Sequence, residues 1–260
     1  MSYKNISLTG RTAIVTGAGG GTGRDMAIAL GLAGANVVIA ARRASTAEET
    51  ARMIRELGGS VLPVEADVTC RADMVRTVAA TVEAFNGLDI MIHNAVHGAT
   101  GMPQSLIDIT DEDWDAQSAV SLNGAFICAQ SAFSELKRAG DRGRFLLMGS
   151  AFGQHGAGHN PIYSASKAAY RGFTRALARE WGGYGITVNM IAPSSLTEVA
   201  KSYLNSNPEL RDQYLTGFAL GRMGRPRDDI GGAVVAMCSE AFGYVTGQTL
   251  MVDGGLYTVM

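Results

Sequence analysis

Charge is scarce in this 260-residue chain: Asp, Glu, Lys and Arg make up 18% of it, against about a quarter in an average soluble domain. The 22 Lys plus Arg nearly cancel the 24 Asp plus Glu, giving a net charge of −2 without any dense basic run. Nucleic-acid and anionic-membrane binders need such a run, so neither partner is expected. The low charge instead suits a surface partly buried in a homo-oligomer. Cysteine is scarce too. Cys70, Cys128 and Cys238 are odd in number and far apart, which fits neither a disulfide framework nor a Cys-x-x-Cys metal motif. They read as core thiols of a reducing compartment. Long apolar runs are also missing. Met1 to Arg11 carries no signal-peptide core, and the greasiest stretch, Ala27 to Ala41, is interrupted by Gly31, Gly34 and Asn36. The expectation is a soluble, cytoplasmic protein.

What the chain does have is apolar material, 47% of its residues, and 33 glycines. That is enough for one large domain spanning 1–260. Short β-branched runs alternate with helical periodicity, which predicts repeated βαβ units. The expected strands are Thr12 to Thr16, Asn36 to Ala40, Val61 to Val64, Leu88 to Ile92, Arg144 to Met148, Thr187 to Ile191 and Thr249 to Val252. Helices are expected over 22–33, 45–57, 71–85, 111–138, 161–181 and 227–239. The fold class is therefore doubly wound α/β, with a seven-stranded parallel sheet and helices on both faces. Ser45 followed by Glu48 predicts a capping box, Gly58 and Gly59 a left-handed helix stop, and Pro226 with Asp228 and Asp229 a helix start.

The first strand runs into Thr16-Gly17-Ala18-Gly19-Gly20-Gly21-Thr22-Gly23, and a helix follows at once. Bare backbone there lets a pyrophosphate approach closely, while free N–H groups and the helix dipole face it. Gly17, Gly20, Gly21, Thr22 and Gly23 are thus candidate dinucleotide ligands. The second strand ends in Ile39-Ala40-Ala41-Arg42-Arg43, with no carboxylate for a ribose 2′-hydroxyl and two guanidiniums for a 2′-phosphate. This favours NADP(H), with Arg42 first and Arg43 second, and leaves NAD(H) admitted. The competing reading makes both arginines solvated surface charges opening a helix.

Beyond the fifth expected strand lie Gly149-Ser150 and then Tyr163-Ser164-Ala165-Ser166-Lys167. Tyr163 and Lys167, four apart, share one helix face. A phenol with a pKa near 10 needs a neighbouring ammonium to act as a base at neutral pH. With Ser150 thirteen residues before Tyr163, and Asn123 twenty-seven before Ser150, the chain resembles the short-chain dehydrogenase/reductase family, in its single-domain Rossmann-type branch. The resemblance runs from Thr16 to Gly255. It implies Tyr163 as acid/base, Lys167 on the ribose and lowering the Tyr163 pKa, Ser150 polarising a carbonyl, and Asn123 positioning a relay water. It also implies that Asp67 and Val68 contact adenine, that Asn94, Ala95 and Val96 line the cofactor groove, and that Pro193, Ser194, Leu196 and Thr197 flank the nicotinamide. The segments Gly221 to Pro226, Thr246 to Gln248 and Val252 to Gly255 resemble a C-terminus that in many members helps form a tetramer. Departures are His93 and Val96 in the usual Asn-Asn-Ala-Gly, Ser194 in Pro-Gly, Thr197 one place early, Thr22 for Ile, and Gly20 without a basic side chain.

His93, His97, His155 and His159 lack a carboxylate to complete a metal set, so no metal is expected. Trp114 and Trp181 read as core or interface anchors. Tyr203, Leu204, Tyr214, Leu215 and Phe218 make 194–221 either a lid over an apolar substrate or plain packing. The expected function is NADP(H)-dependent interconversion of a carbonyl and a secondary alcohol. Alternatives are an NAD(H)-dependent dehydrogenase of a hydroxylated ring or steroid, a 3-oxoacyl thioester reductase, or a noncatalytic dinucleotide sensor.

Overall fold

Parallel strands need a long crossover, and here a helical connection carries the chain back across the sheet. The computed structural model describes residues 6–100, 102–196, 206 and 215–257. Its strands are β1 (Thr12–Thr16), β2 (Asn36–Ala41), β3 (Val61–Glu65), β4 (Ile90–His93), β5 (Arg144–Met148), β6 (Thr187–Pro193) and β7 (Thr249–Val252). They form one parallel sheet in the order β3-β2-β1-β4-β5-β6-β7. The strand order reverses between β1 and β4, and a crevice opens where their carboxyl ends part.

Helices α1 (Gly21–Leu32), α2 (Ala44–Glu56), α3 (Arg71–Phe85), α4 (Asp111–Ser118), α5 (Gly124–Ala139), α6 (Phe152–His155), α7 (Pro161–Trp181) and α8 (Gly232–Cys238) cover both faces. Successive strand residues point to opposite sides. Ile14, Val38, Met91, Phe145 and Met190 therefore pack with α3, α5 and α7 through Met74, Cys128, Tyr170 and Trp181. Val15, Ile39, Ile92, Leu146 and Ile191 pack with α1, α2 and α8 through Met26, Ile54 and Met237. Burial on both faces explains why the strands read as apolar runs rather than alternating ones.

Several expectations at the level of single elements need correction. The expected helix over 111–138 is broken by a π turn, Ala119–Asn123, between α4 and α5. A second π turn, Pro226–Gly231, precedes α8, with Pro226 in its first turn as expected. Ser45 and Glu48 form no capping box. Helix α2 begins one residue earlier, with Arg43 at its N-cap, and Glu48 instead receives Arg55 at 2.5 Å. A capping box does form where none was expected, between Thr110 and Asp113. Gly58 has the left-handed φ of 80° expected of a helix stop, Gly59 does not, and Cys70, expected in the core, is exposed. Helix α6 has no periodic signal because it is only four residues long.

Candidate active site

The cleft of about 1000 Å³ lies at the carboxyl ends of β1 and β4. Its floor is the glycine turn, and the reasons for its glycines are steric. A Cβ on Gly17 would sit 2.8 Å from the Ala95 Cα, and one on Gly23 would sit 2.5 Å from Asn94 Nδ2. Gly21 takes a φ of 55°, and added Cβ atoms on Gly20 and Gly21 would meet open space. The turn is therefore packed tightly underneath and bare on top, which fits the approach of a pyrophosphate.

Side chains from neighbouring elements hold this turn in place. Asn94 Nδ2 donates to the Thr16 carbonyl at 2.9 Å, and the Asn94 backbone N–H donates to Thr16 Oγ1 at 3.0 Å. Arg24 Nη2 donates to the Gly19 carbonyl at 2.7 Å and pairs with Glu49. Thr50 Oγ1, from α2, donates to the Ala18 carbonyl at 2.9 Å. Arg24 and Thr50 were missed in the sequence. Their signal is weak, since each is a single polar residue on a helix whose partner is a backbone carbonyl, near in sequence for Arg24 and far for Thr50.

The cleft wall gathers most of the expected cofactor residues: Gly17, Gly20, Gly21, Thr22, Gly23, Arg42, Arg43, Asp67, Val68, Asn94, Ala95, Val96 and Pro193. Arg42 and Arg43 are exposed beside it. Asp67 Oδ1 accepts from the Thr69 N–H and hydroxyl, which fixes the carboxylate after β3. Two of the remaining residues are absent from this wall. Ser194 is held by β7, its N–H donating to the Val252 carbonyl, and Leu196 borders a smaller adjoining pocket of about 430 Å³ with Thr22 and Arg225. Thr197 lies outside the described residues, as do Tyr203, Leu204 and Tyr214. Phe218 is buried.

Tyr163 and Lys167 enter the same cleft from α7. Glycine again permits the approach: a Cβ on Gly153 of α6 would lie 2.4 Å from the Lys167 backbone carbon. Lys167 is 2% exposed, and its Nζ donates to the Met148 carbonyl at 2.6 Å and lies over the rings of Tyr170 and Tyr163 at 4.6 and 5.4 Å. Burial pulls its pKa down to about 7. Burial raises the Tyr163 pKa, and a hydrogen bond with Ser150 opposes that rise. Ser150 Oγ also accepts the Phe152 N–H at 3.2 Å.

Asn123 is exposed at the end of the π turn, and neither it nor Ser150 is among the residues lining the cleft. The wider turn rotates the downstream helix faces, and the buried residue is Ser121, whose carbonyl accepts from the Tyr170 hydroxyl at 3.1 Å. Of the histidines, His93 is buried, His155 stacks on Tyr257 at 4.5 Å, and His159 holds a φ of 59°. Among the described residues no three His, Cys, Asp or Glu side chains gather as a metal site would require. No helix there is long and apolar enough to cross a membrane.

Known proteins resemble this chain over nearly its whole length. A family model described as enoyl-(acyl carrier protein) reductase matches residues 17–257. A trihydroxynaphthalene reductase of Colletotrichum orbiculare is 34% identical over 98% of this chain and 92% of its own. A 3-oxoacyl-[acyl-carrier-protein] reductase of Synechocystis is 34% identical over 96% of this chain and 98% of its own. The solved structure of a 7α-hydroxysteroid dehydrogenase, complexed with NADH and 7-oxo glycochenodeoxycholic acid, is 30% identical with a TM-score of 0.89 over 98% of both chains. The glycine turn, the seven-stranded parallel sheet and these relatives together make the chain a member of the short-chain dehydrogenase/reductase family, an NAD(P)-dependent oxidoreductase.

Proposed function

We propose that this protein is an NADP(H)-dependent reductase interconverting a carbonyl and a secondary alcohol, with Tyr163 as its acid/base. The observation that carries this reading is the Ser150–Tyr163 hydrogen bond, set beside buried Lys167 in the cleft that holds the glycine turn. Two hydroxyls so close together form a double donor for a single oxygen, which suits C=O better than a carbon–carbon double bond. Gly17 to Gly23 would hold the pyrophosphate, Asp67 and Val68 the adenine side, and Arg42 and Arg43 the 2′-phosphate. The bound dinucleotide supplies or takes the hydride. Ser150 polarises the carbonyl oxygen, and Tyr163 gives it a proton during reduction or removes one during oxidation. The Lys167 ammonium favours the phenolate against the burial that disfavours it. Asn123 would position the relay water, as the family resemblance implies.

The mouth of the cleft offers Val96, Thr100 and Met102. Exposed Trp114, Leu122 and Phe126 on α4, the π turn and α5 support a homotetramer, which light scattering would test. The functional test is oxidation of NADPH and NADH by purified protein with cyclic ketones, quinones, steroids and a 3-oxoacyl thioester. We expect NADPH-dependent turnover that Tyr163→Phe abolishes. Near-wild-type turnover in that variant would refute the assignment. An NAD(H)-dependent steroid dehydrogenase is the second reading, favoured by the likeness to the hydroxysteroid enzyme.

A further inference from the structure

The chain between β4 and α4 carries the mouth of the cleft. Thr100 and Met102 line the cleft from this segment, and Met102 is 65% exposed. Turns order the stretch around them, with the Thr100 N–H donating to the His97 carbonyl at 2.9 Å and the Met102 N–H to the Ala99 carbonyl at 3.1 Å. Pro103 follows with its fixed backbone angle, and then comes Gln104.

Every N–H of Gln104 is engaged. Its side-chain amide donates to Asp113 Oδ2 at 3.0 Å, in the first turn of α4, and to the Asp108 carbonyl at 3.2 Å. That bond and the capping bonds of Thr110 hold the Asp113 carboxyl below its ordinary range. The Gln104 backbone N–H donates to the His159 carbonyl at 2.6 Å. A glutamine that only coated the surface would leave its amide to water.

The far partner lies at the start of the helix that carries Tyr163. His159 presents its carbonyl from a left-handed φ of 59°, a conformation that a residue with a side chain keeps only where its surroundings demand it. Asn160 is the N-cap of α7, and the turn before it is bonded to the first turn of that helix: the Ala157 N–H donates to Ser164 Oγ at 3.1 Å, and the Ser164 N–H to the Asn160 carbonyl at 3.0 Å. Tyr163 is the residue beside Ser164.

We propose that Gln104 is a positioning residue that braces the mouth of the cleft against the start of α7 and so sets the width of the slot between Met102 and Tyr163. Its side chain anchors the segment to α4, and its backbone ties the anchored segment to the turn that fixes Tyr163. The effect on substrate choice rests on the carbonyl reading of the cleft, but the mechanical coupling of the two segments does not.

Hydrogen exchange read by mass spectrometry tests the coupling. Gln104→Ala, which keeps the backbone N–H, should speed exchange over 97–104 and also over 157–164, a stretch that the Gln104 side chain does not touch. Steady-state kinetics with NADPH test the slot. The KM for cyclohexanone should rise about tenfold with kcat held within about twofold, and kcat/KM for the wider α-tetralone should rise relative to that for cyclohexanone. Gln104→Glu keeps the shape but not the donor. The titratable groups around it are the Asp113 carboxylate, His97, whose charge Asp113 feels, and Asp108 and His159, met through their carbonyls. At about pH 8 this variant should behave as Gln104→Ala, and at about pH 5, where Asp113 keeps the new acid protonated and able to donate, it should return toward the wild type measured alongside. Exchange that quickens only over 97–104, or a glutamate variant with no such pH profile, overturns the proposal, as does faster exchange in both segments with KM and the ketone ratio unmoved. If the wild type reduces neither ketone, the carbonyl reading falls and the exchange over 157–164 alone decides the brace.

Discussion

The two ends of the sheet treat buried charge in opposite ways. At the amino ends, Asp89 is 3% exposed and takes the Thr12 N–H at 2.8 Å and Arg142 at 2.5 Å. Arg11 reaches the Arg142 carbonyl, and Arg144 spreads its guanidinium over the carbonyls of Asp141, Gly143 and Ser239. At the carboxyl ends, Lys167 is as deeply buried but meets one carbonyl and two aromatic rings, with no carboxylate. Charge given several partners fixes strands against loops, even though Arg144 Nε itself is left without one. Charge left short of partners stays easy to discharge, which is useful only where a proton must move.

Removing each charge should separate the two roles. Lys167→Met should lower kcat at least a hundredfold, measured under saturating cofactor, while the fold persists. Asp89→Ala should do the reverse, costing about 2 kcal/mol in urea unfolding because the Thr12 N–H loses its acceptor, with kcat unchanged.

The pH dependence sharpens the same contrast. The folded Lys167 pKa of about 7 lies below its ordinary 10.5, so the unfolded chain binds the extra proton between those values. Its contribution to stability therefore rises with pH across that window, while activity that needs the ammonium falls. Chemical denaturation from pH 7 to 10 should show this slope in the wild type and a flatter one in Lys167→Met. A smaller effect concerns the cofactor: Arg42→Ala should weaken NADPH about tenfold more than NADH, read by fluorescence titration, and equal losses would remove Arg42 from the 2′-phosphate. Smallest is the contrast between helix starts. Thr110→Ala should cost about 1 kcal/mol, whereas Ser45→Ala, with no cap bond to lose, should stay within about 0.5 kcal/mol in the same unfolding assay.

The strands were legible because both faces of the sheet are buried, so each reads as an apolar run bounded by glycine or polar residues. The glycine turn was legible for a related reason, since few other arrangements of backbone need glycine at 17, 21 and 23. The support for that turn was not. Arg24, Thr50 and Asn94 act on carbonyls that any sequence possesses, and nothing in the pattern marks which one. The capping box at Ser45 failed because Ser-x-x-Glu describes a reciprocal bond that exists only if the helix starts there, and Arg43 holds that place. The setting of Asn123 was not legible, because a residue count carried across a π turn no longer reports which way a side chain faces.

That π turn has a consequence for how the chain tolerates change in length. It holds one residue more than an α-helical turn of the same reach, so deleting one residue within 119–123 would let α4 run straight into α5. The residues downstream would keep their faces, because what is lost is the one residue that the wider turn absorbs. Cys128 and Ala132 would stay in the core and Phe126 outside it. The same deletion within α5 itself would instead turn everything after it by about 100° and pull those residues out of place.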